Sequence, residues 1–156
     1  MKAPENFKTK KLSNAELNPA KSITVDQYMT RNLITFRPHQ SIREVMDTLV
    51  KKNISGGPVV DDTGRLVGII SEGDCLKQVV KAKYHNLPED NQKVEDHMER
   101  DVKTISPDKD VFEAARQFLN MKIRRFPVLD NGKLIGQVSQ KDIMKAVMKL
   151  SRNTWR

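Results

Sequence analysis

Two stretches of the chain carry apolar residues at the spacing of a half-buried helix. In SIREVMDTLVKKN, which begins at Ser41, and in DVFEAARQFLNM, which begins at Asp110, apolar residues recur at i, i+3, i+4, i+7 and i+8. These positions are Ile42, Val45, Met46, Leu49 and Val50 in the first stretch and Val111, Ala114, Ala115, Phe118 and Leu119 in the second. Ser41 stands three residues before Glu44, which is the spacing of a capping box. The pattern predicts two amphipathic helices.

The apolar runs around these helices are short and typical of strands. LITF and KTIS end at Pro38 and Pro107, which cannot donate to a strand ladder. GPVVDDTGRLVGIIS and FPVLDNGKLIGQVS enclose Asp-Thr-Gly and Asn-Gly turns, which predicts two β-hairpins. A second helix is expected after each hairpin, with one apolar face made of Cys75, Leu76, Val79 and Val80 or of Ile143, Met144, Val147 and Met148.

The two sets of elements are copies of one unit. Val25 aligns with Val94 at an offset of 69, and after one residue is lost in the turn, Asp74 aligns with Asp142 at an offset of 68. A unit of about 60 residues is marginal alone. We therefore expect an α+β fold of mixed helix and strand content, in which two pseudo-twofold β-α-β-β-α units pack sheet to sheet. The predicted segments are a basic extension at 1–22, repeats at 23–84 and 94–150, a linker at 85–93 and a tail at 151–156.

The positive charge of the chain is concentrated at its ends. The net charge is +8, of which residues 1–22 carry +3 and residues 141–156 carry +4. Lysine-rich ends suggest nucleic-acid binding as an alternative function, but neither end has the aromatic interleaving that usually accompanies it. No apolar run reaches the roughly 20 residues that span a bilayer, and the N-terminus lacks the apolar core of a secretory signal. We expect a cytoplasmic protein without a membrane segment.

The residue types that perform catalysis or bind metals are sparse. The three histidines, His39, His85 and His97, have no metal-ligand spacing, so neither a metal site nor catalysis by them is expected. Cys75 is the single cysteine and cannot form an internal disulfide. As a small residue on an apolar helix face it is predicted to be buried rather than reactive. No pair of a nucleophile and a base is evident, so an enzyme is the weakest of the functional hypotheses.

One short pattern occurs at the end of both hairpins. GIISEGDCL and GQVSQKDIM share a Gly, a Ser and an Asp three residues after the Ser, at Ser71 and Asp74 and at Ser139 and Asp142. A Ser and an Asp at this spacing cap the start of a helix. The same helix start offers free N–H groups to a phosphate, and a carboxylate beside it suits a ribose diol. The pattern by itself leaves both interpretations open.

The duplicated PVVDDTGRLVGIISEGD and PVLDNGKLIGQVSQKD segments resemble the cystathionine β-synthase (CBS) domain pair, also called a Bateman module, over residues 23–150. The resemblance implies a regulatory protein that needs no cofactor and binds AMP, ADP or ATP, less often S-adenosylmethionine or a dinucleotide such as NAD. It also implies a homodimer that acts on a separate, unknown effector protein.

The resemblance further assigns roles to residues of both repeats. NISGGP in the first repeat becomes KIRRFP in the second, which places Arg124 and Arg125 where the first has Ser55 and Gly56. By similarity to nucleotide-sensing members of the family, the two arginines would reach the phosphates of a ligand held by the other repeat. The first predicted site comprises Ser71, Asp74, Thr104, Ile123, Arg124 and Arg125, and the reciprocal site comprises Ser139, Asp142, Ser55, Gly56 and Thr35.

Overall fold

The computed structural model of the protein describes residues 22–86 and 92–154, with side chains up to Leu150. The first repeat contains helix α1 (Ile42–Lys52), strands β1 (Gly56–Val60) and β2 (Leu66–Ser71), and helix α2 (Glu72–His85). The second contains α3 (Val111–Met121), β3 (Arg125–Asp130), β4 (Lys133–Ser139) and α4 (Gln140–Thr154). A short 3-10 turn lies near the start of each repeat, at Val25–Gln27 and Val94–Asp96. The predicted α+β class is confirmed. Most of the basic N-terminal extension, the middle of the linker and Trp155 lie outside the described residues.

The predicted amphipathic helices form because their ends are capped and their inner faces are apolar. The Ser41 hydroxyl accepts a hydrogen bond from the Glu44 N–H at 3.1 Å, and Asp110 caps α3 in the same way. α1 ends at Asn53 in the left-handed region, with φ 52°. The residues of these two helices that are buried are Ile42, Val45, Leu49, Val111, Ala114 and Phe118. Val50 and Leu119, which the spacing also placed on the inner face, are exposed.

The strand predicted at the start of each repeat is reduced to a single bridging residue. Phe36 forms a parallel bridge with Val59, and Ile105 forms the equivalent bridge with Val128. The Phe36 N–H donates to the carbonyl of Pro58, and the Val60 N–H donates back to Phe36. The next bonds of a parallel ladder would require N–H groups from Pro58 on one side and Pro38 on the other, and proline has none. The prediction of a full first strand was therefore wrong in extent, and each of the two sheets in the described part of the chain has two strands.

The face that α2 buries also differs from the prediction. Cys75, Gln78 and Ala82 are buried, whereas Leu76, Val79 and Val80 are exposed. The helix start is held by the Glu72 N–H, which donates to the Ser55 carbonyl at 2.9 Å, and this orientation turns Cys75 inward. The positions three and seven residues later then follow it into the interior. In α4 the buried residues are likewise Ile143 and Ala146, while Met144 and Met148 are exposed.

Each repeat completes the hydrophobic core of the other. Val25 and Met29, which precede the first repeat's strands, pack in one core with Phe118 and Phe126 of the second repeat. Val94 and Met98 pack in the other core with residues of the first repeat, including Phe36, Ile70 and Cys75. The segments that begin the two sequence repeats are thus exchanged between the two structural units.

Backbone pairing fixes this exchange at the last strand of each hairpin. The N–H and carbonyl groups of Ile69 and Glu99 bond reciprocally at 2.8 Å, and Thr30 and Gln137 do the same at 2.8 and 2.9 Å. Neither of these paired segments leaves room for a side chain on the glycine beside it. A Cβ on Gly68 would lie 2.6 Å from the Met98 sulfur and 2.9 Å from the Glu99 carbonyl oxygen. Gly136 has the same relation to Met29 and Thr30.

We expect Gly68→Ala to lower the free energy of unfolding by about 1–3 kcal/mol, because the Glu99 backbone must move to admit the methyl group. The measurement is urea unfolding of the protein without added ligand. Gly73→Ala is the matched control, since a Cβ there meets nothing closer than the Ser71 hydroxyl at 3.7 Å. That substitution should leave the stability close to the wild-type value or slightly above it, because alanine favours a helix but Gly73 is only the second residue of α2. Equal stability of the Gly68→Ala variant and the wild type would show that the exchanged segment does not pack closely.

A second prediction concerns Cys75, which is buried in the core of the first repeat. Burial raises the pKa of the thiol to about 11, and the neighbouring Asp74 carboxylate adds to the rise. The folded protein should therefore resist iodoacetamide near neutral pH and react only after unfolding in urea.

In the unfolded chain the thiol has its ordinary pKa of 9.0, so the stability contributed by the protonated form is lost as the pH rises from about 9 to 11. Wild-type stability should fall more steeply in this interval than that of Cys75→Ala. Rapid native labelling or parallel pH curves would contradict the assignment.

Candidate functional site

The repeated Ser and Asp form capping boxes in both repeats. Asp74 Oδ2 accepts hydrogen bonds from the Ser71 N–H and hydroxyl, both at 2.9 Å, and the Asp74 N–H donates to Ser71 Oγ at 3.4 Å. Ser139 and Asp142 repeat the arrangement at 2.8, 2.9 and 3.2 Å. One carboxylate oxygen serves the cap in each repeat, and no hydrogen bond of the other oxygen is seen among the described residues. The capping role is therefore real and leaves each carboxylate one acceptor for a ligand.

The loop before each hairpin is attached to the helix start of its own repeat. The Ser55 carbonyl accepts from the Glu72 N–H, and Gly56 is paired with Ser71 in the hairpin register. A Cβ on Gly56 would lie 2.6 Å from the Ile70 carbonyl oxygen. Glycine therefore fits this position and leaves no side chain beside Ser71. In the second repeat, Arg125 is paired with Ser139.

A cleft of about 250 Å³ lies where the two hairpins face each other. Residues of both repeats line it, and they are Ser55, Gly56, Gly57, Pro58, Ile69, Ser71, Arg124, Arg125, Pro127 and Gln137. The cleft brings the two arginines of the second repeat to Ser71 of the first, which is the cross-repeat combination that the sequence analysis expected. Ser55 and Gly56 line the same cleft, although they had been assigned to the reciprocal site.

The remaining candidate residues lie outside the lining of this cleft. Asp74 lies in the first turn of α2, and one oxygen of its carboxylate is bonded to the lining residue Ser71. Thr35 and Thr104 are exposed and directly precede the bridging residues Phe36 and Ile105. Ile123 is half-buried against the core of the second repeat. Ser139 and Asp142 cap α4 in the second repeat.

Five lining residues were missed by the sequence analysis. They are Gly57, Pro58, Ile69, Pro127 and Gln137. All belong to the hairpin strands, where alternate positions point to opposite faces of the sheet. That alternation was the available signal, but it does not say which face borders a cleft. Gln137 occupies the strand position that Ile69 holds in the first repeat.

The charge of the cleft comes from Arg124 and Arg125. Both are exposed, and among the residues that the structure describes neither guanidinium forms an ion pair or a side-chain hydrogen bond. Guanidinium groups without a carboxylate partner, placed beside a helix start, are groups that attract an anion. Pro58, Pro127 and Ile69 supply an apolar surface in the same cleft.

No metal centre is formed in the described part of the chain, where no group of three or more His, Cys, Asp or Glu side chains could hold an ion. His97 Nε2 lies 2.9 Å from Gln92 Oε1, and His39 and His85 are exposed. Within residues 22–86 and 92–154, none of the helices has the length and apolar character to cross a membrane.

Comparison with known proteins agrees with this architecture. The CBS domain family model matches residues 25–81 and 94–149. The crystal structure of CBSX2 from Arabidopsis thaliana in complex with AMP is similar, with 31% identity, a TM-score of 0.70, and coverage of 82% of this chain and 98% of that one. The CBS domain pair of MJ0100, solved with 5′-methylthioadenosine and S-adenosylmethionine, has 30% identity, a TM-score of 0.65, and coverage of 82% and 98%.

A curated relative is longer than this chain. MJ1225 of Methanocaldococcus jannaschii is 31% identical over 121 residues, which are 78% of this chain and 41% of that protein. The alignment with it therefore concerns one part of a larger relative. Two matched segments, the duplicated hairpins and the likeness to solved CBS pairs together show that the chain belongs to the CBS domain family.

Proposed function

We propose that this protein is a regulatory CBS-pair protein that binds an adenosine nucleotide, AMP, ADP or ATP, in the cleft between its repeats. The observation that carries the proposal is the position of Arg124 and Arg125, two unpaired cations of the second repeat, on the same cleft as Ser71 of the first. In this arrangement the arginines bind the phosphates, and Ser71 with Asp74 binds the ribose. Pro58, Pro127 and Ile69 form the apolar contact for adenine.

Charge and size favour a mononucleotide over the other adenosine ligands of the neighbouring structures. CBSX2 was solved with AMP and MJ0100 with 5′-methylthioadenosine and S-adenosylmethionine, so adenosine is the shared group. S-adenosylmethionine carries a net positive charge, because its sulfonium and amino cations outnumber its one carboxylate, and two arginines disfavour such a ligand, whereas phosphates pair with them. The cleft of about 250 Å³ is also smaller than typical enclosed ligand pockets of about 300–1,000 Å³, which disfavours an enclosed dinucleotide such as NAD.

Ligand binding has a direct route to the rest of the fold. Ile69 and Gln137 line the cleft, and their backbones pair with Glu99 and Thr30 on the exchanged segments. A ligand that shifts either strand therefore shifts the segment that completes the opposite core. We infer that this coupling supplies the regulatory output to an effector protein, and that the protein is not itself an enzyme. The lysines behind the nucleic-acid alternative lie mainly outside the described residues.

We expect Arg124→Ala and Arg125→Ala each to weaken ATP binding by about tenfold or more, since a charge-assisted hydrogen bond contributes about 1.5–3 kcal/mol. Adenosine, which has no phosphate, should lose much less affinity. Isothermal titration calorimetry measures both ligands, and Lys149→Ala, which removes an exposed charge on α4, is the control.

In double-mutant cycles, Arg125→Ala should couple to Asp74→Ala through the bound nucleotide and be additive with Asp142→Ala. Coupling to Asp142 alone, or equal losses for adenosine and ATP, would refute this geometry.

We also propose that a second copy covers the helices of the second repeat. Phe112 and Leu119 of α3 and Met144 and Met148 of α4 are exposed apolar side chains, between 57 and 76% accessible. A surface of this kind marks a contact between subunits.

The expected state is therefore a dimer that a charge in this surface disrupts. Leu119→Lys with Met144→Lys should convert the protein to a monomer at micromolar concentration in analytical ultracentrifugation. Val50→Lys, an equally exposed position on α1, should leave the dimer intact. A monomeric wild type, or a dimer that persists in the double variant, would exclude this interface.

A further inference from the structure

Gln137 lies in the cleft between the repeats, and the proposed function leaves its side chain unused. The residue is half-buried and lines the cleft, and no hydrogen bond of its carboxamide is found among the described residues. The first repeat has Ile69 at the same strand position, and Ile69 lines the same cleft. The fold therefore does not require a polar side chain here. A carboxamide has both donors and an acceptor, and in this position both are available to a bound ligand.

The hairpin register places Gln137 beside the arginines that bind phosphate in the proposed site. Arg125 is paired with Ser139, and Pro127 is paired with Gln137. These four residues share one face of the sheet, because side chains alternate along a strand. Gln137 is therefore the diagonal neighbour of Arg125, at about 7–8 Å, which is within reach of long side chains. It also lies directly opposite Pro127, which the proposed function assigns to the apolar contact with the base.

The position of the phosphates decides which edge of a purine Gln137 meets. In the anti conformation of a purine nucleotide, N7 lies on the side of the base that is nearer the 5′-phosphate. Phosphates at Arg125 therefore direct the edge with N7 and the 6-substituent toward Gln137. Adenine offers an acceptor at N7 and a donor at N6 on this edge, and one glutamine carboxamide pairs with both. Guanine offers two acceptors, N7 and O6, so the glutamine oxygen faces one of them in either orientation of the amide.

We propose that Gln137 selects adenine over guanine in the cleft, an inference that rests on the proposed nucleotide site. Its Nε2 donates to N7 of the base, and its Oε1 accepts from the N6 amino group. The side chains of Ile69 and Pro127 contact the base without distinguishing the two purines, because they have neither donors nor acceptors. Recognition of the base thus belongs to the second repeat, as recognition of the phosphates does, while Ser71 of the first repeat contacts the ribose.

The test is calorimetric titration of the whole chain with ATP, GTP and 7-deaza-ATP, in which a carbon replaces N7. The wild type should bind ATP about tenfold or more tightly than GTP, the range of one bidentate amide–adenine pair. It should bind 7-deaza-ATP about three- to tenfold more weakly than ATP, because one neutral hydrogen bond is lost. Gln137→Ile introduces the residue type of the first repeat and should bind all three ligands with similar affinity. Gln27→Ile, the same change at an exposed position outside the cleft, should keep the wild-type preference.

The outcomes separate this inference from the proposed function. A Gln137→Ile variant that still prefers ATP to GTP would overturn the role of Gln137, and so would a wild type that binds the two nucleotides equally. Equal binding of 7-deaza-ATP and ATP by the wild type would overturn the N7 contact without any need for a folded variant. In each of these cases the nucleotide site itself would stand, and Arg124→Ala should weaken ATP and GTP by the same factor. A wild type that binds neither nucleotide would overturn both the site and the role of Gln137.

Discussion

The fold depends on backbone pairing between the last strand of each hairpin and the opening segment of the opposite repeat. The Ile69–Glu99 and Thr30–Gln137 bonds bring Met98 and Met29 over Gly68 and Gly136, where no side chain could be accommodated. Each hydrophobic core is completed only by this exchange. Neither repeat is therefore an independent folding unit, in keeping with the marginal burial available to about 60 residues. The cleft between the repeats exists because the exchange holds the two hairpins face to face.

The Ser and Asp that start α2 form the cap that their spacing predicted, and the proposed function gives them a second role as ligand contacts. A single carboxylate oxygen of Asp74 accepts from both the N–H and the hydroxyl of Ser71, which completes the cap. The cap also fixes the rotation of α2, and with it the inward direction of Cys75 and Gln78. In the proposed function, the second oxygen of the same carboxylate binds a ribose. In that proposal one residue serves as both structural cap and ligand contact, because a carboxylate has acceptors on two oxygens.

The two repeats have diverged where each meets its surroundings. Arg124 and Arg125 face a cleft to which the first repeat contributes Ser55 and Gly56, so the cleft has cations from one side only. On the helices the polar residues belong to the first repeat instead. Gln78 and Arg43 stand there where the second repeat has Ala146 and Phe112. Duplication provides two repeats with the same backbone arrangement, and these substitutions give each repeat different polar and charged groups. The asymmetry is consistent with the proposed separate roles of the cleft between the repeats and of the apolar surface of α3 and α4.

The sequence by itself determined the repeat, the helices, the hairpins and their caps, because each depends on residues within one turn or one hairpin. It also indicated that Arg124, Arg125 and Ser71 belong together, through the family resemblance. Tertiary structure alone decided the length of the first strands, since Pro38 and Pro58 end the ladder on its two sides only when Phe36 pairs with Val59. It likewise decided which stripe of α2 is buried, because spacing defines a face but not the neighbour against which that face packs. The exchange of Met29 and Met98, and the grouping of Ser55 with Arg125 on one cleft, are contacts between residues far apart in the chain, and no local pattern encodes them.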